Sequence, residues 1–384
     1  MPWKETSPMD LRIEFMNRLA DGEKLADLCL EFGISRKTAY KFKTRFEHSG
    51  INGLGDRPRV PKTIPHKTPP ELVDVIVAER KKHPSWGPRK LKEVLEKRLV
   101  REFPASSTIG DILERAGLIE SRARRTRHWS RPTGLRETSA PNQVWCIDYK
   151  GQFRLGDRSY CYPLTITDHW SRFIVCCEGM PAVSDEDARE VCHDVFRIHG
   201  MPDVIRSDNG VPFASTGLSG LTKLSAYWLR LGIELERIRP AHPEENGRHE
   251  RMHRTLKQET TRPARNNLLQ QQERFDEFVE EFNTVRPHEA LAMKRPADVY
   301  VSSTKPYPER LPELTYPTHD EVLLVGTTGM LHLPRRRLVY LSASLAGHPV
   351  GLREEDDGRW LVTFVDRNLG HIIPTTQNFV ATTN

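Results

Sequence analysis

The chain predicts a mixed α/β core, preceded by an all-α helix-turn-helix region and followed by a small β-barrel. Three observations predict it. Apolar residues recur at helical spacing in three blocks near the N-terminus. From Val144 onward, β-rich segments alternate with amphipathic helices. Past residue 318 the pattern turns into short strands broken by turn residues. With 384 residues the chain is too long for one hydrophobic core. It divides into a helix-turn-helix unit (1–60), a second helical unit (61–120), a basic linker (121–140), the α/β core (141–303) and the β-barrel (318–384).

Charge separates these parts. Residues 1–140 hold 29 Lys+Arg against 19 Asp+Glu, whereas the remainder holds 29 against 33. A basic N-terminal third fits a polyanionic partner, because each neutralised phosphate releases condensed counterions. The six cysteines show no paired C-x-x-C spacing and read as buried thiols of a cytoplasmic protein. No run approaches the 18 uncharged apolar residues of a membrane span.

In the first unit, Leu11, Phe15 and Leu19 form one stripe, Leu25, Leu28, Cys29 and Phe32 a second, and Ala39, Phe42 and Phe46 a third. Gly33-Ile34-Ser35 between the last two supplies a sharp turn and an N-cap. The third helix is then the one presented to DNA. Its polar residues Arg36, Lys37, Tyr40, Lys41, Lys43 and Arg45 suit phosphates and guanine edges. The same pattern also describes a three-helix bundle with a solvated basic face.

A Pro- and Gly-rich stretch, 51–68, leads to the second helical unit, with stripes at Leu72, Val75, Ile76 and at Leu91, Val94, Leu95, and Ser107 as the cap of a last short helix. Residues Arg122–Arg136 carry six arginines and no acid. Such a run cannot pack as a core, so Arg122, Arg124, Arg125 and Arg127 read as a tether along a DNA backbone.

In the core, Val144–Tyr149, Tyr160–Asp168 and Arg172–Met180 predict an antiparallel meander. A helix capped by Ser184 follows, then a strand at Val204–Ser207, a helix at Leu221–Leu231, a strand at Ile233–Ile238 and two long helices near 247–261 and 268–284. Near the C-terminus, Asp357-Gly358 joins two strands as a hairpin.

Chemistry points to carboxylates. Asp148 ends the first strand on the face shared by Val144 and Cys146, where an acid is costly unless paired or metal-bound. Asp208 ends the fourth strand ahead of Gly210, at a position where α/β sheets build ligand sites. A third acid comes from Glu244, Glu245 or Glu250. The first two follow Pro243 and precede Asn246-Gly247 in a loop, whereas Glu250 opens a helix. On that helix Glu250, His253, Arg254 and Lys257 fall at i, i+3, i+4 and i+7, an acidic corner followed by a basic stripe. Asp168, beside His169 and Ser171, reads as a turn-forming acid, and Asn209 as a turn residue or a support for Asp208.

The blocks Trp145-Cys146-Ile147-Asp148, Ser207-Asp208-Asn209-Gly210, His242 to Arg251, His253 to Lys257 and Asn283 to Leu291 resemble the signature blocks of integrase-like insertion-sequence transposases. The resemblance is strong over about 140–300. It implies a ribonuclease H-like core, two Mg²⁺ or Mn²⁺ ions per active site, and Asp148, Asp208 and Glu250 as catalytic and metal-holding acids. One departure is the 41 residues between Asp208 and Glu250, longer than usual in the family, where 35 separate Asp208 from Glu244. The Asn-Gly-x-x-Glu-Arg context favours Glu250, with the extra length placed in Phe213–Lys223.

The implied function is 3′-end cleavage and strand transfer by a transposase that binds double-stranded DNA at terminal inverted repeats and at a target, as a dimer or larger homo-oligomer on bacterial DNA. A metal-dependent nuclease without strand transfer, or a non-catalytic repressor derived from a transposase, would carry many of the same signatures.

Overall fold

A computed structural model describes residues 7–56, 67–119, 134–240, 242–334, 337–373, 376 and 378–382. The chain divides into two units, Met1–Lys67 and Thr68–Asn384.

The first unit is three helices, α1 (Pro8–Ala20), α2 (Leu25–Glu31) and α3 (Arg36–Ser49). Ser7 and Asp10 form a reciprocal capping box at the start of α1. Gly33 takes a positive φ of 63° just past α2, and the Ser35 hydroxyl then accepts the Thr38 N–H to open α3. Phe15, Met16, Leu28, Cys29, Ala39, Phe42 and Leu54 close the core.

The second unit begins with α4 (Pro70–Lys82), α5 (Pro88–Leu99) and α6 (Ser106–Arg115), packed around Ile76, Trp86, Leu91, Leu95, Ile109 and Leu113. Ser107 lies inside α6 rather than capping it, and the preceding Ala105 supplies no side-chain cap.

The α/β core has strands β1 (Val144–Tyr149), β2 (Phe153–Arg154), β3 (Tyr160–Asp168), β4 (Ile174–Met180), β5 (Val204–Ser207) and β6 (Glu234–Arg237). β1, β3 and β4 form the expected antiparallel meander; β5 and β6 add in parallel beyond β1, and β2 adds a short rung to β3. Helices cover both faces. Trp145 and Ile147 of β1 point to the side of α7 (Asp185–His199) and α8 (Lys223–Arg230), in a core with Phe196 and Trp228. The other face receives α9 (Gly247–Thr260) and α10 (Leu268–Thr284) through Met252, Leu256, Phe275 and Phe278.

Strand β4 has β3 on one side only, and α10 attends to the other. The Asn283 amide accepts the Ile174 N–H at 2.9 Å and donates to the Ile174 carbonyl at 3.0 Å. Gln272 does the same for the Gly179 N–H and the Cys177 carbonyl, at 2.8 and 3.0 Å. Two side-chain amides thus stand in for a neighbouring strand.

The C-terminal region departs from the expected closed barrel. β7 (Glu321–Leu324), β10 (Pro349–Glu354), β11 (Trp360–Phe364), β12 (Arg367–Ile373) and β13 (Asn378–Ala381) make an antiparallel sheet in the order β13-β12-β11-β10-β7. β8 (Met330–Leu333) and β9 (Arg337–Tyr340) pair separately. Among the described residues no ladder joins β7 to β13, so the sheet is open. Its apolar face is buried instead on the α/β core: Val350, Leu352, Val362 and Phe364 share a cluster with Leu221, Ala226 and Leu229 in and beside α8. The predicted hairpin between β10 and β11 is present, with Gly358 at φ 77°.

Candidate active site

Asp148 lies near the end of β1, opposite Thr165 of β3 in the antiparallel register. Strand alternation turns Cys146 and Asp148 away from the Trp145–Ile147 core and toward α9. Burial pushes the Asp148 carboxyl up to about 7, helped by the negative charges of Asp208 and Glu250, while Lys150 and the Tyr149 backbone act the other way. The three acids chosen from sequence therefore share one electrostatic field, although they arrive from β1, from the turn after β5 and from α9.

Asp208 follows β5, and its Oδ1 accepts the Gly210 N–H at 3.0 Å. A Cβ at Gly210 would sit 3.0 Å from the other carboxylate oxygen, so glycine keeps this turn tight against the acid. Asn209 donates to the Ile238 carbonyl at 2.6 Å and ties the turn to the end of β6. Glu250 is exposed in the first turn of α9, with Arg254 and Lys257 exposed along the same stripe.

Of the alternative third acids, Glu245 is buried and accepts from both the backbone and the guanidinium of Arg239, at 2.7 and 2.6 Å. The side chain of Glu244 lies outside what is described.

His253 corrects the stripe expected from spacing. It is only 5% exposed and turns inward to the sheet. The Thr165 hydroxyl lies 2.6 Å from His253 Nε2 and 2.8 Å from His249 Nε2, and Thr167 lies 2.7 Å from His249 Nδ1. Burial drives His249 to about 3 and His253 well below its ordinary value, with His249 and Lys150 adding to the latter, so both rings are neutral. His253 Nδ1 lies 3.7 Å from Asp148 Oδ2.

Asp168 is the turn anchor that the sequence suggested. Its buried carboxylate accepts from Ser171 N–H and Oγ and from the Asn142 N–H.

The donor set suits a hard divalent cation. Asp148, Asp208 and Glu250 are oxygen donors in one field, and among the described residues none of the three is paired with Arg or Lys within 4.0 Å. Donor atoms of Asp148, His249 and His253 lie within 4.8 Å of one another; the Asp208 and Glu250 carboxylates sit outside that tighter group.

On α3, Arg36, Lys37, Tyr40 and Lys41 are exposed. Lys43 and Arg45 are half-buried at the flanks, with Lys43 4.0 Å from Glu47 and the Arg45 guanidinium 5.8 Å from the Phe42 ring centroid. Arg122, Arg124, Arg125 and Arg127 lie outside the described residues. Sequence reasoning missed Thr165, Thr167 and His249; the period-two position of Thr165 beside Asp148 becomes readable only with the strand register.

The integrase core domain family matches residues 138–243 and 231–296. A helix-turn-helix domain family matches 11–62 and a homeodomain-like family matches 38–113. The chain is 28% identical over 179 residues to the Gag-Pol polyprotein of baboon endogenous virus, a match that covers 46% of this chain and 10% of the polyprotein. It is 34% identical over 106 residues to the uncharacterized protein y4bC/y4pJ of Sinorhizobium fredii, covering 26% of this chain and 70% of that protein. Among solved structures, the magnesium complex of the HTLV-2 integrase catalytic core domain aligns with TM-score 0.33 and 14% identity, over 42% of this chain and 97% of that one. A simian T-cell lymphotropic virus intasome bound to the PP2A regulatory subunit B56 gamma aligns with TM-score 0.38 and 16% identity, over 78% and 99%. The chain thus combines an integrase core with helix-turn-helix domains. It belongs to the integrase-like transposase family. It spans only about a tenth to a fifth of the length of the viral polyproteins that it matches.

Proposed function

We propose that the protein is an insertion-sequence transposase that cuts 3′ ends at terminal inverted repeats and joins them to target DNA, on a ribonuclease H-like core. The observation that carries this reading is the Asp148 carboxyl, held at about 7 by burial and by the charges of Asp208 and Glu250. A buried acid that two neighbouring acids make harder to ionise is relieved by divalent cations. Asp148, Asp208 and Glu250 would hold two Mg²⁺ or Mn²⁺ ions, which supply activation of the attacking hydroxyl and stabilisation of the leaving oxygen.

The chain's own residues do the rest. β1 and the Gly210 turn fix two carboxylates on rigid backbone, and α9 presents Glu250 at its positive N-terminal end. Arg254 and Lys257, one and two turns on, grip the phosphates beside the scissile bond. Arg36, Lys37, Tyr40 and Lys41 on α3 read the repeat, and Arg122, Arg124, Arg125 and Arg127 follow the backbone. Copies on two DNA ends would assemble as a dimer or larger form.

The test is a joining assay with repeat-end oligonucleotides, Mg²⁺ and a plasmid target. Asp208→Asn and Glu250→Gln are expected to lower joining by at least about a hundredfold while DNA binding stays intact. Full joining by both variants would overturn the assignment, and cleavage without joining in the unaltered protein would make it a nuclease.

A further inference from the structure

We infer that His253 Nδ1 is a nitrogen ligand of the cation held by Asp148, which makes this centre a mixed carboxylate–imidazole site that favours Mn²⁺ over Mg²⁺. The inference rests on the reading of Asp148 as a metal-holding acid.

Taken together as hydrogen bonds, the three contacts of the Thr165 hydroxyl assign the protons. The Thr165 hydroxyl has one proton and donates it to the Asp148 carbonyl at 3.1 Å. It must then accept at its 2.6 Å contact with His253 Nε2 and its 2.8 Å contact with His249 Nε2, which places the proton of each ring on Nε2. His249 Nδ1 accepts from the Thr167 hydroxyl at 2.7 Å, so both of its nitrogens are committed. His253 differs, because its Nδ1 carries a free lone pair. Among the described residues its polar neighbour is Asp148 Oδ2, 3.7 Å away.

That contact leaves the Nδ1 lone pair unused. At 3.7 Å it is too long for a hydrogen bond. It sets a nitrogen lone pair against a carboxylate oxygen in a pocket where His253 is 5% exposed. A cation between the two would use both donors. Two donors at about 2.0–2.2 Å from one ion stand roughly 3–4 Å apart, the separation seen here. The Thr165 contact at Nε2 is also the support that an imidazole ligand ordinarily has, a hydrogen bond from its other nitrogen that fixes the tautomer and the ring plane. Mn²⁺ accepts an imidazole nitrogen in its shell more readily than Mg²⁺, which dehydrates reluctantly and demands a near-ideal octahedron of oxygens.

The test uses the full chain and Mn²⁺ alone. Electron spin-echo modulation of the bound Mn²⁺ is expected to show nitrogen coupling in the unaltered protein, and to change from the ¹⁴N to the ¹⁵N pattern when only histidine is ¹⁵N-labelled. In His253→Gln the coupling is expected to vanish, and the Mn²⁺ Kd to rise by at least the ~10-fold that loss of a supporting group costs a metal site, with a smaller change for Mg²⁺. Bound Mn²⁺ without nitrogen coupling overturns the His253 ligand and leaves the carboxylate site standing. Coupling that survives in His253→Gln and disappears in His249→Gln assigns the ligand to the wrong histidine and also overturns it. If no Mn²⁺ binds, or if binding is unchanged in Asp148→Asn, the reading of Asp148 fails and the inference falls with it. Should His253→Gln fail to fold, the isotope exchange in the unaltered protein still decides whether a histidine is bound.

Discussion

Asp148 is a carboxyl that folding has made harder to ionise. Its value near 7 lies far above the ordinary aspartate range, first because it is buried and then because Asp208 and Glu250 stand near. The sign of the linkage follows. A carboxyl raised in the folded state favours folding most below its unfolded pKa of about 4, and that contribution is lost as pH rises through about 7. The metal-free protein should therefore lose stability between these limits, and a divalent cation, which binds the ionised form, should restore it only in the upper part of the window. Thermal melts with and without Mn²⁺ check this: the Mn²⁺-induced rise in Tm is expected to be larger at pH 8 than at pH 5.5, and to disappear in Asp148→Asn. Equal rises at both values would contradict the assignment.

For the candidate site, residue types and their positions marked Asp148 and Asp208, and the family resemblance helped to choose Glu250. An acid at each of two strand ends and a third at a helix start mark positions where a fold can gather charge, and those three share a field in the structure. The orientation of His253 was not legible. Spacings of three and four residues both approximate the helical turn, so Glu250, His253 and Arg254 all look co-facial in sequence, whereas the sheet under α9 divides them, with His253 inside and the other two outside.

At the scale of elements, strand β5 holds the most demanding side chain of the core. Arg206 is 2% exposed; it pairs with Glu236 of the adjacent strand at 2.6 Å, donates to the Arg136 carbonyl at 2.9 Å and meets His169 Nε2 at 3.1 Å. One guanidinium thus joins β5, β6, the turn after β3 and the chain entering β1. Removing it strands Glu236 at a largely buried site. Arg206→Ala is expected to cost about 3–5 kcal/mol in urea unfolding, as breaking one half of a buried pair does; a loss below about 1 kcal/mol would show that water reaches the pair freely.

In the α/β core the order of the main elements followed from periodicity, with the short β2 missed, because each apolar face has a single place to go. The C-terminal region shows the limit of that argument. Alternating strands declare a face that must be buried, but not what buries it, and here α8 supplies the cover that barrel closure would otherwise have given.

Across the second unit, the α4–α6 bundle is tied to the α/β core by polar contacts. His83 meets Glu281 of α10 at 2.9 Å, Ser85 bonds Glu259 of α9, and Arg286 holds the same Glu259 at 2.9 Å. The bond from His83 keeps Glu281 below the ordinary carboxylate range, so this tie is lost as pH falls through that lowered value. A double variant, Glu259→Ala with Glu281→Ala, is expected to raise amide hydrogen exchange in α4 and α5 while leaving β1 and β3 protected. Unchanged exchange in those helices would mean that apolar packing alone holds the bundle in place.

The two amides of α10 that close off β4 bear on how copies can meet. A bare strand rim invites another chain to dock edge to edge and extend the sheet, copy after copy, without limit. With Ile174, Cys177 and Gly179 already occupied by Asn283 and Gln272, that route is barred on this side. A copy approaching this flank meets α10 instead, where a contact can be made once and stop.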